Sequence, residues 1–232
     1  LSLNNGVSPL DRFEDAISKE TAWRKKELTT LRFLLQSANE MERKFLSRAG
    51  LVLLYSHWEG WIKNLGLRYL EFVNSEKHTL KELRPEFVGA IVHPKIKTLE
   101  NSLNPEHYAE LIEYLRQNGD AFNSIKPVFI DTGSNLDSKT LKRIVTALGL
   151  IDSQILADQN VLTTKATFID TKLVEKRHNI AHGQYLYISS EDFDDVYYGI
   201  LETLEVFTTA LSDAASKKLY LRQLPLGVSP QS

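Results

Sequence analysis

LVLLYSHWEGWIKNLGLRYLEFV, residues 51–73, carries apolar side chains at three- and four-residue steps through Tyr55, Trp58, Ile62, Leu65, Tyr69 and Phe72. The same spacing reaches back to Phe45, and apolar residues continue almost all round the middle of the run. A helix wetted on one side would show a polar stripe, so this one belongs at the centre of a helical bundle. Before it, PLDRFEDAISKETAWRKKELTTLRFLL sets Pro9 in a first helical turn and places Phe13, Ile17, Leu28, Leu31 and Leu35 on one face of a long amphipathic helix. After it, residues 79–161 are choppier, with short helices expected to break at Pro94 and Pro105.

Helical patterning returns in FIDTKLVEKRHNIAHG, which is expected to start with Asp170 as N-cap and to stop at Gly183. A long final helix should begin at Ser190 in SSEDFDDVYYGILETLEVFTTALSDAASKK. Strand-like alternation is confined to fragments such as PVFI and QYLYI. The expectation is an all-α, single-domain chain over residues 1–218 with a loose tail at 219–232. Two long helices precede a helical insertion at about 79–161 and two follow it, closing a four-helix bundle.

Composition narrows the function classes. A charged fraction of 25% and the absence of any run of eighteen apolar residues argue against a membrane span, and the first residues lack the pattern of an export signal. No cysteine is present, which removes disulfide scaffolds, thiolate zinc sites and cysteine nucleophiles, and fits a cytoplasmic setting. The formal net charge of -2 gives no broad basic surface, so nucleic acid is neither proposed nor excluded by charge.

The titratable chemistry concentrates in LVEKRHNIAHG, residues 173–183. Arg177 is followed, after four intervening residues, by His182, with His178 and Asn179 between them. Apolar Leu173, Val174, Ile180 and Ala181 would hold this helix into the bundle and leave the polar groups at its end. The competing reading is a solvated last turn whose cations oppose the helix dipole.

At these residues the chain resembles the HEPN superfamily, whose ribonucleases carry an arginine, a polar residue and a histidine after four to six intervening positions. Arg177, His178 and His182 meet that pattern, the run R-H-N-I-A-H-G is similar to the family's R-N-x-I-A-H-G, and LLYSHWEGWIKNLGLRYLEFV is similar to one prokaryotic HEPN subfamily. His178 departs from the pattern by standing where asparagine is usual. About half the chain carries the resemblance, and the insertion lies outside it. The resemblance implies a metal-independent endoribonuclease, acting as a homodimer, with Arg177 and His182 catalytic and with His178 and Asn179 orienting or binding substrate. It also implies a toxin or antiviral defence effector restrained by an antitoxin or other partner protein. The alternative within the family is a catalytically silent module that binds nucleotide or protein, and outside it a purely structural scaffold.

The chemistry suits the implied reaction independently. When a ribose 2'-hydroxyl attacks the adjacent phosphorus, one group removes a proton, another returns one to the leaving oxygen, and a guanidinium matches the charge gathering on phosphate. Histidine serves either proton transfer near neutral pH. On a regular helix, however, Arg177 and His182 project about 140° apart, a difficulty that two copies meeting across a two-fold axis would ease.

Other clusters are weaker. His178 and His182 are four apart, with Glu175 one turn before His178, but the glutamate of HExxH and a third histidine are missing, so no metal and no cofactor is expected. In SHWEGWIK, Trp58 and Trp61 read as core, Gly60 as a point of close helix approach, and Glu59 with Lys63 as an ordinary surface pair; the competing functional reading has Glu59 reach the motif helix to hold His182 or Arg177, or Trp58 flank an RNA base. Basic groups at 24–26, at Lys95 with Lys97, and at Lys139 with Lys142 and Arg143 read as solvated faces or as a funnel for RNA. His57, His78, His93 and His107 have no partner that spacing identifies.

Overall fold

The computed structural model describes residues 7–133 and 135–223. Helix α1, Pro9–Ser37, starts from a capping box in which Ser8 and Asp11 exchange bonds, and Pro9 occupies its first turn. Helix α2, Glu40–Ser75, starts from a second capping box between Asn39 and Glu42, so only two residues join the pair. That short joint forces α1 back along α2, and α2 in turn packs along α9, Ser190–Ser216, which is capped by Ser189. Leu54, Trp58, Trp61, Ile62, Leu65 and Tyr69 are fully buried, as a central helix requires. The fourth core helix is α7, Thr164–Phe168, continued by a π-helical turn at Ile169–Val174 and by α8, Glu175–Ala181. It lies against α2 and α9, closing the expected bundle.

The insertion is helical too. It contains α3, Pro85–Leu99; α4, Pro105–Asn118; α5, Ser138–Ala147; and α6, Gln154–Asp158. It packs onto the bundle where α5 meets α7 and α6 meets α9. Among the described residues there is no strand, and PVFI and QYLYI are irregular. No described helix is long and apolar enough to cross a membrane.

Several local expectations are corrected. Asp170 is not an N-cap: the helix begins upstream, and the Asp170 carboxylate instead accepts the Ser138 backbone N–H at 2.7 Å, at the start of α5. Pro94 lies inside α3 rather than ending it, on an exposed face where a lost backbone bond is tolerated. Phe45 is 67% exposed, because the first turns of α2 run beyond the packed core. The tail is docked at its start: Tyr220 is buried, its carbonyl accepts from Arg84 N at 3.0 Å, and Arg222 N donates to Glu82 O at 2.7 Å. The rest of that tail, 224–232, lies outside the described residues.

Candidate functional site

The helix that carries the motif widens into a π turn one residue before Glu175, where the Glu175 N–H reaches back to the Asp170 carbonyl. Ile169 and Leu173, four apart, are both buried there, and Phe168 seats on Gly199 of α9 so closely that a Cβ would stand 2.6 Å from its ring. A π turn shifts the register of everything after it, and such turns gather at functional sites. Beyond it, α8 ends in a Schellman motif. Gly183 N–H donates to Ile180 O and Gln184 N–H to Asn179 O, with Gly183 at φ +80°, a conformation that glycine adopts without strain. His182 is therefore the C-cap residue, its own N–H bonded to His178 O at 3.0 Å.

Arg177 is held on two sides. Its Cζ lies 4.4 Å from the centroid of the Tyr55 ring, a cation–π distance, and its Nη1 donates to Asn135 Oδ1 at 3.0 Å. Tyr55 is buried on α2, and burial first of all pushes its phenol up to about 12, so it remains neutral. The phenol oxygen accepts the backbone N–H of Leu136 at 2.8 Å, and Trp58 Nε1 donates to the Leu136 carbonyl at 3.1 Å. Leu136 is fully buried without any ladder partner, so these two side chains of α2 satisfy both of its backbone groups. Thr132 Oγ1 donates to Glu59 Oε1 at 2.6 Å. Thr132, Asn135, Leu136 and Ser138 are thus fastened to α2 and to the motif helix at Glu59, Tyr55, Trp58, Arg177 and Asp170.

The two histidines face each other, ring centroids 4.3 Å apart, and both are exposed. Asn179 is half-buried; its carbonyl serves the cap, and its side chain has no hydrogen-bond partner among the described residues. Glu59 is joined by no ion pair to Arg177 or His182 among the described residues; it accepts from Thr132, which ties α2 to the insertion, and its carboxylate adds to the upward push on the Tyr55 phenol. No group of three or more His, Asp or Glu is gathered around His178 and His182 among the described residues.

Sequence reasoning did not single out three neighbours. Asn135 and the Tyr55 ring bear directly on Arg177. Arg48 of α2 stacks its guanidinium 5.2 Å from the Tyr185 ring and donates through Nη2 to Gln184 O at 3.3 Å, which ties α2 to the loop just after the motif. Arg48 was readable as a helical cation, but its partner lies 136 residues away and no local pattern announces it.

Two other expectations resolve. Gly60 does admit a close approach, by the Arg24 guanidinium: a Cβ there would stand 3.0 Å from it. Arg24 itself is buried and bonded to Glu20, so it is not part of a basic funnel. His57 is buried beside it, with Nε2 2.8 Å from Glu27 Oε2.

Comparison with curated proteins and with solved structures finds no match. A family model described as RiboL-PSP-HEPN matches residues 19–213, a span that takes in the bundle, the motif and the whole insertion. The insertion, outside the resemblance read from the motif, is therefore part of the family's own domain, and the chain belongs to the RiboL-PSP-HEPN family of the HEPN superfamily.

Proposed function

We propose that the chain is a metal-independent endoribonuclease in which Arg177 stabilises charge on the scissile phosphate and His182 transfers protons. Family membership by itself carries the coarser statement, that HEPN domains are often ribonucleases and in other cases bind nucleotide. The observation that carries the finer reading is the contrast within one helix end. Arg177 is fixed from behind by Tyr55 and Asn135, while His178 and His182 stand exposed beyond it, their rings against each other and without a side-chain hydrogen bond or ion pair among the described residues. A preorganised cation beside free imidazoles is what phosphoryl chemistry without a metal needs.

The step is a transesterification. A base takes the proton of the 2'-hydroxyl, its oxygen bonds to phosphorus, the bond from phosphorus to the 5'-oxygen breaks, and an acid returns a proton to that oxygen. One His182 cannot flank both oxygens of an in-line displacement, so the reading includes a second copy that lends its own histidine. Exposed apolar side chains beside the motif loop support such a docking. Met41 and Phe45 are one turn apart on α2, and Phe45 lies one turn before Arg48, which holds Tyr185; Met41, Tyr185 and Tyr187 are all more than half exposed.

A role as a toxin or antiviral effector is carried over from the resemblance, and a cytoplasmic setting from the absence of cysteine. An unrestrained ribonuclease would damage its host's own RNA, so the reading also includes a restraining partner protein. The test is cleavage of mixed RNA by purified protein in EDTA, beside Arg177→Ala and His182→Ala. Cleavage lost at least about a hundredfold in both variants supports the assignment. Equal activity in all three proteins overturns it, and nucleotide binding without any cleavage would select the silent module instead.

A further inference from the structure

A groove of about 490 Å³ lies away from the motif, between α3, α5 and the loop before α5. Its apolar surface comes from Pro85, Gly89, Phe129 and Ala147, and its rim from Lys139, Lys142 and Arg143. All three cations are exposed, and none has a carboxylate partner among the described residues; Arg143 reaches only the Asp131 carbonyl. The one carboxylate in the lining, Glu86, is already taken by Arg84 through bonds of 3.0 and 3.3 Å. The groove therefore presents an uncompensated positive rim over an apolar surface, and its size is that of ligand clefts, about 300–1,000 Å³.

Phe129 is half-buried, its ring packed at 85° against His93 and bordering the groove. An aromatic surface under several cations is the arrangement that holds single-stranded nucleic acid, by stacking a base and tracking its phosphates. An acidic peptide would use the rim and leave Phe129 idle. Continuity with the candidate site adds to this. Phe129 and Asn135 are six residues apart, at most about 20 Å even if the chain were extended, and Asn135 bonds Arg177. The Arg143 bond to Asp131 fastens this stretch beside the groove, and the Thr132 bond to Glu59 fastens it to α2.

Resting on the ribonuclease reading, we infer that this groove is a second RNA site: it takes one base of a single strand against Phe129, with neighbouring phosphates on Lys139, Lys142 and Arg143. It sets where along the strand the Arg177 centre cuts, a few nucleotides away.

Binding is measured on the full chain carrying His182→Ala, which stops turnover, by fluorescence anisotropy of a labelled single-stranded RNA dodecamer across a range of salt. Lys139→Gln with Lys142→Gln should weaken binding at least about tenfold at low salt and make the salt slope shallower by about 1.4, two phosphates at 0.7 each. Gly89→Leu fills the groove without touching charge, and a Cβ at Gly89 meets nothing within 4 Å, so the helix accepts it. It should weaken binding about fivefold or more with the slope unchanged, as loss of a stacked base predicts. RNA affinity and salt slope equal to the parent's in both variants would overturn the inference. So would a polyglutamate that competes as well as unlabelled RNA, since the groove would then read charge alone. If the His182-intact protein cleaves nothing while these variants still lose RNA, the ribonuclease reading falls and the groove stands. Cleavage by the intact protein with groove variants that bind normally sinks the groove alone.

Discussion

Replacing Tyr55 by phenylalanine removes one oxygen and keeps the ring on which Arg177 rests. The lost oxygen is the acceptor for the Leu136 N–H, a buried group with no other hydrogen-bond partner among the described residues. Leaving a buried backbone donor unsatisfied costs about 1–3 kcal/mol. For a chain of this size each kcal/mol moves the melting temperature by about 2–4 °C, so Tyr55→Phe should lower it by about 2–12 °C. Because Leu136 is bonded next to Asn135, the loosened loop also frees the group that fixes Arg177. A displacement of about 1 Å in a catalytic group costs up to about a hundredfold, so cleavage should fall about tenfold or more, in kcat rather than KM. Tyr55→Leu additionally removes the cation–π contact, about 0.5–2 kcal/mol, and should be worse on both counts. Thermal unfolding followed by circular dichroism, with cleavage assayed well below the transition, measures the two effects separately. A Tyr55→Phe protein that melts within about 1 °C of the parent and cleaves equally well would refute the proposed clamp.

Other perturbations probe different parts. A cycle pairing Tyr55→Phe with Asn135→Ala should show coupling of at least about 0.5 kcal/mol, since both act on one loop; strict additivity would uncouple them. Burial holds the His57 imidazole below its ordinary value, with Arg24 working in the same direction and the Glu27 and Glu20 carboxylates against it. A depressed histidine is neutral in the fold and takes up its proton more readily unfolded, so its stability is present above about pH 6.5 and is lost as pH falls through that value. The slope is at most about 1.4 kcal/mol per pH unit from this one proton, and urea unfolding of His57→Gln between pH 7.5 and 5.5 should show a smaller pH difference than the parent. If the chain pairs as proposed, refolding equal amounts of parent and His182→Ala chains leaves about one quarter of the dimers with two histidines. Activity near that quarter fits a shared cleft, whereas about half would mean that each chain holds a complete site.

The bundle was legible because its signals are local. Pro9 and Ser190 mark helix starts, apolar three- and four-residue steps run from Tyr55 to Phe72, and Gly183 marks a stop. Asp170 misled for the same reason: an aspartate before an apolar run looks like a cap, but its carboxylate serves a backbone N–H 32 residues earlier. The motif showed Arg177 and His182, yet not what holds the arginine, because Asn135 and Tyr55 reach it from other elements, Asn135 from 42 residues away. His57 gave no partner by spacing because Arg24 and Glu27 come from α1, across the bundle. Pairings of this kind follow from tertiary packing, and only the folded chain displays them.

The chemistry itself is tested most directly by the ends of the products. RNA cut by the purified protein in EDTA should carry a 2',3'-cyclic phosphate, or its hydrolysis product, upstream and a 5'-hydroxyl downstream, and a single 2'-deoxyribose at the cleavage position should make the substrate inert. Products bearing 5'-phosphates, or undiminished cutting at the deoxy position, would contradict attack by the 2'-hydroxyl and with it the roles given to Arg177 and His182.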